Sequence, residues 1–315
     1  MALRVAFFGT PGFAVPTLEH LVHSPHQVAG VITQPDRPRG RGQQVSDGPV
    51  KALAVALGLP VLQPEKLTRD RFESPLRSLN ADIGVVAAYG KILPDWLLAT
   101  PRLGLINVHA SLLPKYRGAS PVHRAVINGD AETGVTIMRV VKDLDAGPML
   151  ATVRVPIGPD DTTTTIESLL AIRGAELLVQ TLHAIDAGTA RETPQDESQV
   201  TYAPKLAKSE GLIDWSMPAA KIHNLVRGLW PWPHAYTYLA GLRHIIHRSR
   251  LSTHTAKAPP GSIVIASAID GLHVACGGGT AIELIDIQLE GKRVTNARSA
   301  MASKTLAAGA RFSNP

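Results

Sequence analysis

Asn107 and His109 stand two residues apart in the run Leu105–Pro121, L-I-N-V-H-A-S-L-L-P-K-Y-R-G-A-S-P. In an extended strand that spacing turns both side chains to one face. An amide donor and an imidazole at the carboxyl end of a strand in an open α/β sheet can together hold the charge that develops on an attacked carbonyl oxygen. Downstream, Val135–Pro148 reads V-T-I-M-R-V-V-K-D-L-D-A-G-P and carries two carboxylates, Asp143 and Asp145, in the loop after a second strand. A carboxylate beside His109 would orient the ring, favour its charged form and take up a proton during turnover. Each feature has a plainer reading by itself: Asn107 as a turn cap, His109 as a satisfied surface histidine, the aspartates as loop residues before a glycine. Three groups suited to acyl-type transfer, all at strand ends of one sheet, point to chemistry.

Other stretches narrow the choice. The first strand-to-helix turn, G-T-P-G-F-A-V-P from Gly9 to Pro16, lacks the G-x-G-x-x-G spacing of a dinucleotide site, and Pro11 removes a backbone donor. The sequence holds no P-loop, no H-E-x-x-H and no C-x-x-C, so ATP and structural zinc have no support. His20, His23 and His26 recur regularly, but without Cys or acidic partners they read as helix-surface residues. In Thr33–Lys51 the residues Arg37, Arg39 and Arg41 alternate with Pro38, Gly40 and Gly42. Such a segment is not helical and exposes its guanidinium groups, which suits a phosphate-bearing macromolecule as well as a plain solvated loop.

These residues need a scaffold, and 315 residues suffice for two domains with separate cores. The first two-thirds alternate short apolar runs with helical patterns, the signature of an α/β fold with an open, Rossmann-like, mostly parallel sheet. Strands are expected at Arg4–Phe8, Val28–Thr33, Pro60–Leu62, Ile83–Ala88, Leu105–Val108 and Val135–Val140. Helices are expected over Val50–Leu57, after an N-cap at Ser120 with Pro121 in the first turn, and through much of Thr164–Ala187. Residues 1–188 form the expected catalytic domain, 189–211 a polar linker, and 212–315 a second domain. There five short β-like runs, Ala235–Leu239, His244–Arg250, Ser262–Ala266, Leu272–Cys276 and Ala281–Gln288, suit a small barrel of the oligonucleotide-binding (OB-like) type. Charge is uneven: positions 1–200 carry 19 Lys+Arg against 20 Asp+Glu, and positions 201–315 carry 13 against 6. A basic module beside a near-neutral one implies an anionic partner, nucleic acid first among them. No run approaches the roughly 18 apolar residues of a membrane span. The first residues lack a secretory signal, and the single cysteine, Cys276, fits a reducing compartment, so the cytoplasm is the expected location.

Taken together, the motifs resemble those of the methionyl-tRNA formyltransferase family along nearly the whole chain. G-T-P-G-F-A, Q-P-D-R-P-R-G-R-G, A-A-Y-G-K-I-L-P, N-V-H-A-S-L-L-P-K-Y-R-G-A-S-P, D-A-E-T-G-V-T-I-M, L-D-A-G-P-M-L, T-Y-A-P-K-L, I-D-W-S and P-W-P carry the likeness. The resemblance implies transfer of a formyl group from 10-formyltetrahydrofolate to the amino group of methionine on initiator tRNA, with no metal. It implies Asn107, His109 and Asp145 as catalytic residues, Ser111, Leu112, Leu113 and Pro114 as the folate-binding segment, and Arg37, Arg39, Arg41 and Lys205 as tRNA contacts. The arginine loop departs from the family pattern at Gln43 and Gln44, where related loops often carry two lysines. The alternatives are a folate-dependent formyltransferase for a small amine (an amino sugar or glycinamide ribonucleotide), a nucleic-acid-binding protein with an inactive α/β domain, and a nicotinamide-dependent dehydrogenase.

Overall fold

The structure is a computed structural model and describes residues 2–39, 44–303 and 305–313. Along the chain run β1 (Arg4–Gly9), α1 (Val15–Val22), β2 (Gln27–Ile32), β3 (Arg37–Arg39), β4 (Gln44–Ser46), α2 (Pro49–Ala56), β5 (Val61–Leu62) and α3 (Arg69–Ser78). Next come β6 (Ile83–Ala87), α4 (Asp95–Leu98), β7 (Leu105–His109), α5 (Pro121–Asn128), β8 (Glu132–Arg139), β9 (Met149–Pro156) and α6 (Thr163–Asp186). The remainder comprises α7 (Ala219–Gly228), β10 (Ala235–Leu239), β11 (Leu242–Leu251), β12 (Ile263–Ser267), β13 (Gly271–Ala275), β14 (Ala281–Leu289), β15 (Thr295–Asn296) and α8 (Ala297–Ala300).

Two compact units result. The first holds residues 1–118, 133–155 and 167–203; the second holds 119–132, 156–166 and 204–315. This division is not the linear one expected from composition. Helix α5 and the segment after β9 belong with the second unit because their bonding partners lie there. Arg124 pairs with Glu210, Ile157 N donates to Ala131 O at 2.9 Å, and Thr163 Oγ1 donates to Gly228 O at 2.8 Å. Nor are residues 189–203 a free connector: Thr193 exchanges two 2.8 Å backbone bonds with Met149, and Ala203 N donates to Arg117 O at 2.8 Å.

In the first unit the sheet order is β5-β2-β1-β6-β7-β8-β9. β1 and β6 are apolar runs buried almost throughout, as strands covered on both faces must be. β5, β2, β1, β6 and β7 are parallel, whereas β8 is antiparallel to β7, with Thr136 opposite His109 and Arg139 opposite Ile106. β9 was not foreseen; as a half-exposed edge strand it lacks a continuous apolar run. The chain reverses its order of strand addition at β1, and the carboxyl ends nearby are tied together at one carbonyl. Tyr89 O accepts from Thr10 Oγ1 at 3.3 Å and from Gln34 Nε2 at 2.8 Å. Ser120 takes the expected N-cap position, but its side chain makes no capping bond, and Pro121 begins the helix. His26 departs from its expected place on a helix surface. It is buried just before β2, where its Nδ1 accepts the Leu3 N–H at 3.2 Å.

The second unit contains a six-stranded antiparallel sheet in the order β10-β11-β14-β13-β12, with β15 beside β14. Its core gathers Ile213, Trp215, Ile246, Leu272, Ile282, Ile287 and Phe312. Trp215 stacks on Phe312 at 5.4 Å and donates its indole N–H to Thr237 Oγ1. The last described residues join the two edges of this sheet. Ser313 pairs with Tyr238 of β10, while Phe312 N donates to Gly261 O and Ile263 N donates to Ala310 O. Such closure satisfies edge donors and acceptors that would otherwise be open.

Candidate active site

His109 ends β7 and is 5% exposed. Its Nε2 lies 3.0 Å from the Tyr116 carbonyl. A carbonyl only accepts, so Nε2 carries a hydrogen and donates there. The other nitrogen, Nδ1, faces Asp145 Oδ2 at 3.6 Å. Asp145 Oδ2 also accepts the Gly118 N–H at 2.8 Å. The backbone either side of Arg117 therefore holds both members of the pair: the Tyr116 carbonyl holds His109 and the Gly118 amide holds Asp145. Asp145 (φ 48°) and Tyr116 (φ 62°) sit in the left-handed region that non-glycine residues avoid. Strain of this kind persists where surrounding contacts over-determine the backbone.

The direction of β8 changes how Asp145 arrives. The sequence placed it at a strand end beside that of His109. Because β8 is antiparallel, its following loop leaves the sheet beside Leu105, the beginning of β7. The loop must fold back to reach His109. Gly147 permits this, since a Cβ there would lie 1.9 Å from the Arg139 carbonyl oxygen. Gln195 supports it, donating from Nε2 to Asp145 O at 2.7 Å and Gly147 O at 2.8 Å.

Asn107 lies on β7 between Val86 and Met138 of the neighbouring strands and is half-buried. Among the described residues its amide has no hydrogen-bond partner, leaving both donors available to an incoming oxygen. Ser111, Leu112, Leu113 and Pro114 follow His109 after Ala110, and several of their polar groups are bound within the protein. Ser111 Oγ donates to Lys115 O at 2.6 Å. Thr136 Oγ1 donates to Ser111 O at 2.8 Å and accepts from Leu113 N at 3.2 Å. The Leu113–Pro114 peptide is cis, and Leu112 packs over Gly134. Asp143 is exposed and has no place in this arrangement.

The arginine stretch is extended where it is described. β3 and β4 form a two-stranded antiparallel ribbon carrying Arg37 and Arg39 on its backbone. Arg41 lies outside the described residues, as does Gln43. Lys51 joins Asp36, just before β3, to Asp47, just after β4. The Lys51 ammonium, helped by Gln63, holds the Asp36 carboxyl below the usual carboxylate range. Lys205 is exposed in the second unit. Sequence reasoning missed Gln195, placed in the supposed linker, and the roles of Tyr116, Arg117 and Gly118. The last three stand inside a motif already quoted, but nothing in local spacing links Arg117 to a residue 78 positions later. Among the described residues no group of three or more His, Cys, Asp or Glu is close enough to hold a metal ion, and no helix is long and apolar enough to cross a membrane.

An open α/β sheet that carries an amide and an imidazole on one strand, with a carboxylate facing the imidazole, is an arrangement suited to group transfer. Comparison with known proteins agrees: residues 3–182 match the formyl transferase family, and residues 205–305 match the formyl transferase C-terminal domain. A protein of Solibacter usitatus named methionyl-tRNA formyltransferase is 48% identical over 291 residues, covering 92% of each chain. Another of that name, from Geobacter metallireducens, is 44% identical over 310 residues, covering 98% of each. The chain belongs to the methionyl-tRNA formyltransferase family. Among solved structures, an N-formyltransferase of Helicobacter canadensis, in complex with folinic acid and dTDP-3-aminofucose, superposes with a TM-score of 0.68 at 17% identity, covering 90% of this chain and 98% of that one. HypX of Aquifex aeolicus, in complex with tetrahydrofolic acid, gives 0.65 at 14% identity; the match covers 96% of this chain and 47% of HypX. At such identities these two likenesses concern the fold.

Proposed function

We propose that this protein transfers the formyl group of 10-formyltetrahydrofolate to the amino group of methionyl initiator tRNA, giving the N-formylmethionyl-tRNA used to begin translation. The observation that carries this reading is the 44–48% identity to methionyl-tRNA formyltransferases across both domains. The small-amine alternative rests on folds at 17% identity and offers no use for a basic second domain.

The unpartnered amide of Asn107 fits a formyl oxygen, and the donor then supplies a formyl carbon on a nitrogen able to leave. Asn107 donates to that oxygen as charge develops on it, and His109, its Nε2–H held by the Tyr116 carbonyl, can add a donor only from Nδ1, the nitrogen that faces Asp145. Asp145 accepts the proton released by the attacking amine and returns it to the departing nitrogen, so the new C–N bond forms as the old one breaks. Ser111 to Pro114 act in this reading as a shaped wall beside His109, the Ser111 hydroxyl and the Leu113 N–H being already engaged within the protein. Arg37, Arg39, Arg41 and Lys205 provide tRNA contacts, the guanidinium groups matching phosphate in a bidentate way.

The test is acceptor competition with labelled formyl donor. Charged initiator tRNA is expected to take the label, and free amino sugars or glycinamide ribonucleotide are not. Label on a small amine in preference to the tRNA would replace this reading with the alternative.

A further inference from the structure

We infer that Gln195 is a positioning residue for formyl transfer, holding the Asp145 loop against His109 while Arg117 holds Gln195. The inference rests on the reading of Asp145 and His109 given above.

Gln195 is 9% exposed, and every hydrogen-bonding position of its amide is used. Oε1 accepts from Arg117 Nε at 3.0 Å and Nη2 at 2.9 Å. Nε2 donates to the carbonyls of Asp145 and Gly147. A guanidinium can only donate, so the amide has one permitted orientation, with its NH2 turned to the loop. Arg117, 4% exposed, is anchored in turn by Glu197 at 2.7 Å and 3.3 Å. Its own backbone is paired at both groups, with Thr201 O and Ala203 N.

The contacts close a ring. His109 binds the Tyr116 carbonyl, Arg117 follows Tyr116 and binds Gln195, Gln195 binds the Asp145 backbone, and the Asp145 carboxylate faces His109. A loop that folds back from the far end of β7, with Asp145 at a disfavoured φ, needs such a hold. Gln195 grips the main chain on both sides of Ala146 and so sets the direction of the Asp145 side chain. A displacement of about 1 Å in a group of this kind can reduce turnover about 10²-fold.

The experiment compares Gln195→Leu, Gln195→Glu and Asp145→Asn singly, and combines Gln195→Leu with Asp145→Asn. Leu removes all four hydrogen bonds at similar volume. Glu keeps the Arg117 pairing but turns an acceptor oxygen toward two carbonyls. Both Gln195 variants are expected to lower kcat by about 10–100-fold, with KM for folate and for charged tRNA within about threefold. In the double variant Gln195→Leu should cost little beyond Asp145→Asn, since a positioning effect vanishes with the group positioned. A merely structural role would lower the melting temperature and add its effect in both backgrounds. If Gln195→Leu does not fold, Gln195→Glu carries the comparison against Asp145→Asn in the same way. Turnover within twofold of wild type in a folded Gln195 variant, or full additivity in the double variant, overturns the inference. Wild-type turnover by Asp145→Asn would instead remove the reading of the site on which it rests.

Discussion

At the scale of single residues, the three site groups differ in how they are held. His109 and Asp145 are bound by main-chain groups, at 3.0 Å and 2.8 Å, whereas Asn107 has no partner among the described residues. An amide that supports nothing in the fold can be removed with little structural consequence, and its loss should appear in the chemistry. Asn107→Ala is expected to lower kcat about 10²–10³-fold, the usual cost of one oxyanion donor, while changing stability by no more than about 0.5 kcal/mol. Steady-state kinetics beside thermal unfolding measure both. Turnover within a few-fold of wild type would remove Asn107 from the mechanism. These residues were legible in the sequence because two chemically suited side chains separated by one residue must share a strand face. The partners that hold them were not legible: Tyr116 and Gly118 act through their backbones, which side-chain identity does not report.

At the scale of elements, the turn between β8 and β9 carries the most consequence. Strand positions could be read from apolar runs, because buried parallel strands such as β1 and β6 carry almost no polar side chains. Strand direction could not, and the antiparallel course of β8 places its loop at the opposite end of β7 from the expected one. The polar stretch after α6 misled for a related reason. Its Gln, Glu and Thr residues bind the loop and the Tyr116–Gly118 segment, yet in composition they match a solvated linker. Gly147 sits where this return is tightest. An added Cβ would meet the Arg139 carbonyl oxygen at 1.9 Å, a backbone atom that cannot rotate away. Gly147→Ala is therefore expected to open the turn, costing about 1–3 kcal/mol of stability and, by shifting Asp145, about 10²-fold in kcat/KM. Paired unfolding and kinetic measurements check this, and a variant equal to wild type in both would mean that the turn relaxes without moving Asp145.

At the scale of the whole molecule, the two units interleave along the chain, which decides how the second can be tested. Ending the protein at Ala203 would remove α7, against which α5 packs through Ile127 and Gly228, and would also remove Glu210, the partner of Arg124. With that packing and that ion pair lost, such a fragment is expected to be destabilised, and weak tRNA binding by it would say little about contacts. Substitution of exposed basic residues in the full chain separates the two effects. Positions 201–315 carry 13 Lys+Arg against 6 Asp+Glu, and Lys205 and Lys208 are exposed at the start of that region. Each phosphate contact releases counterions, so affinity for tRNA should fall steeply with salt, and each lost contact should flatten the log–log slope by roughly one. The Lys205→Ala, Lys208→Ala double variant is expected to bind initiator tRNA more weakly at low salt, with a slope shallower by about one to two, while turnover at saturating tRNA stays near wild type. Titrations at several salt concentrations, with a thermal melt to show that the fold is intact, provide the measurement. An unchanged slope in the folded variant would remove both lysines from the phosphate contacts and shift the electrostatic footprint to the other basic residues of the chain.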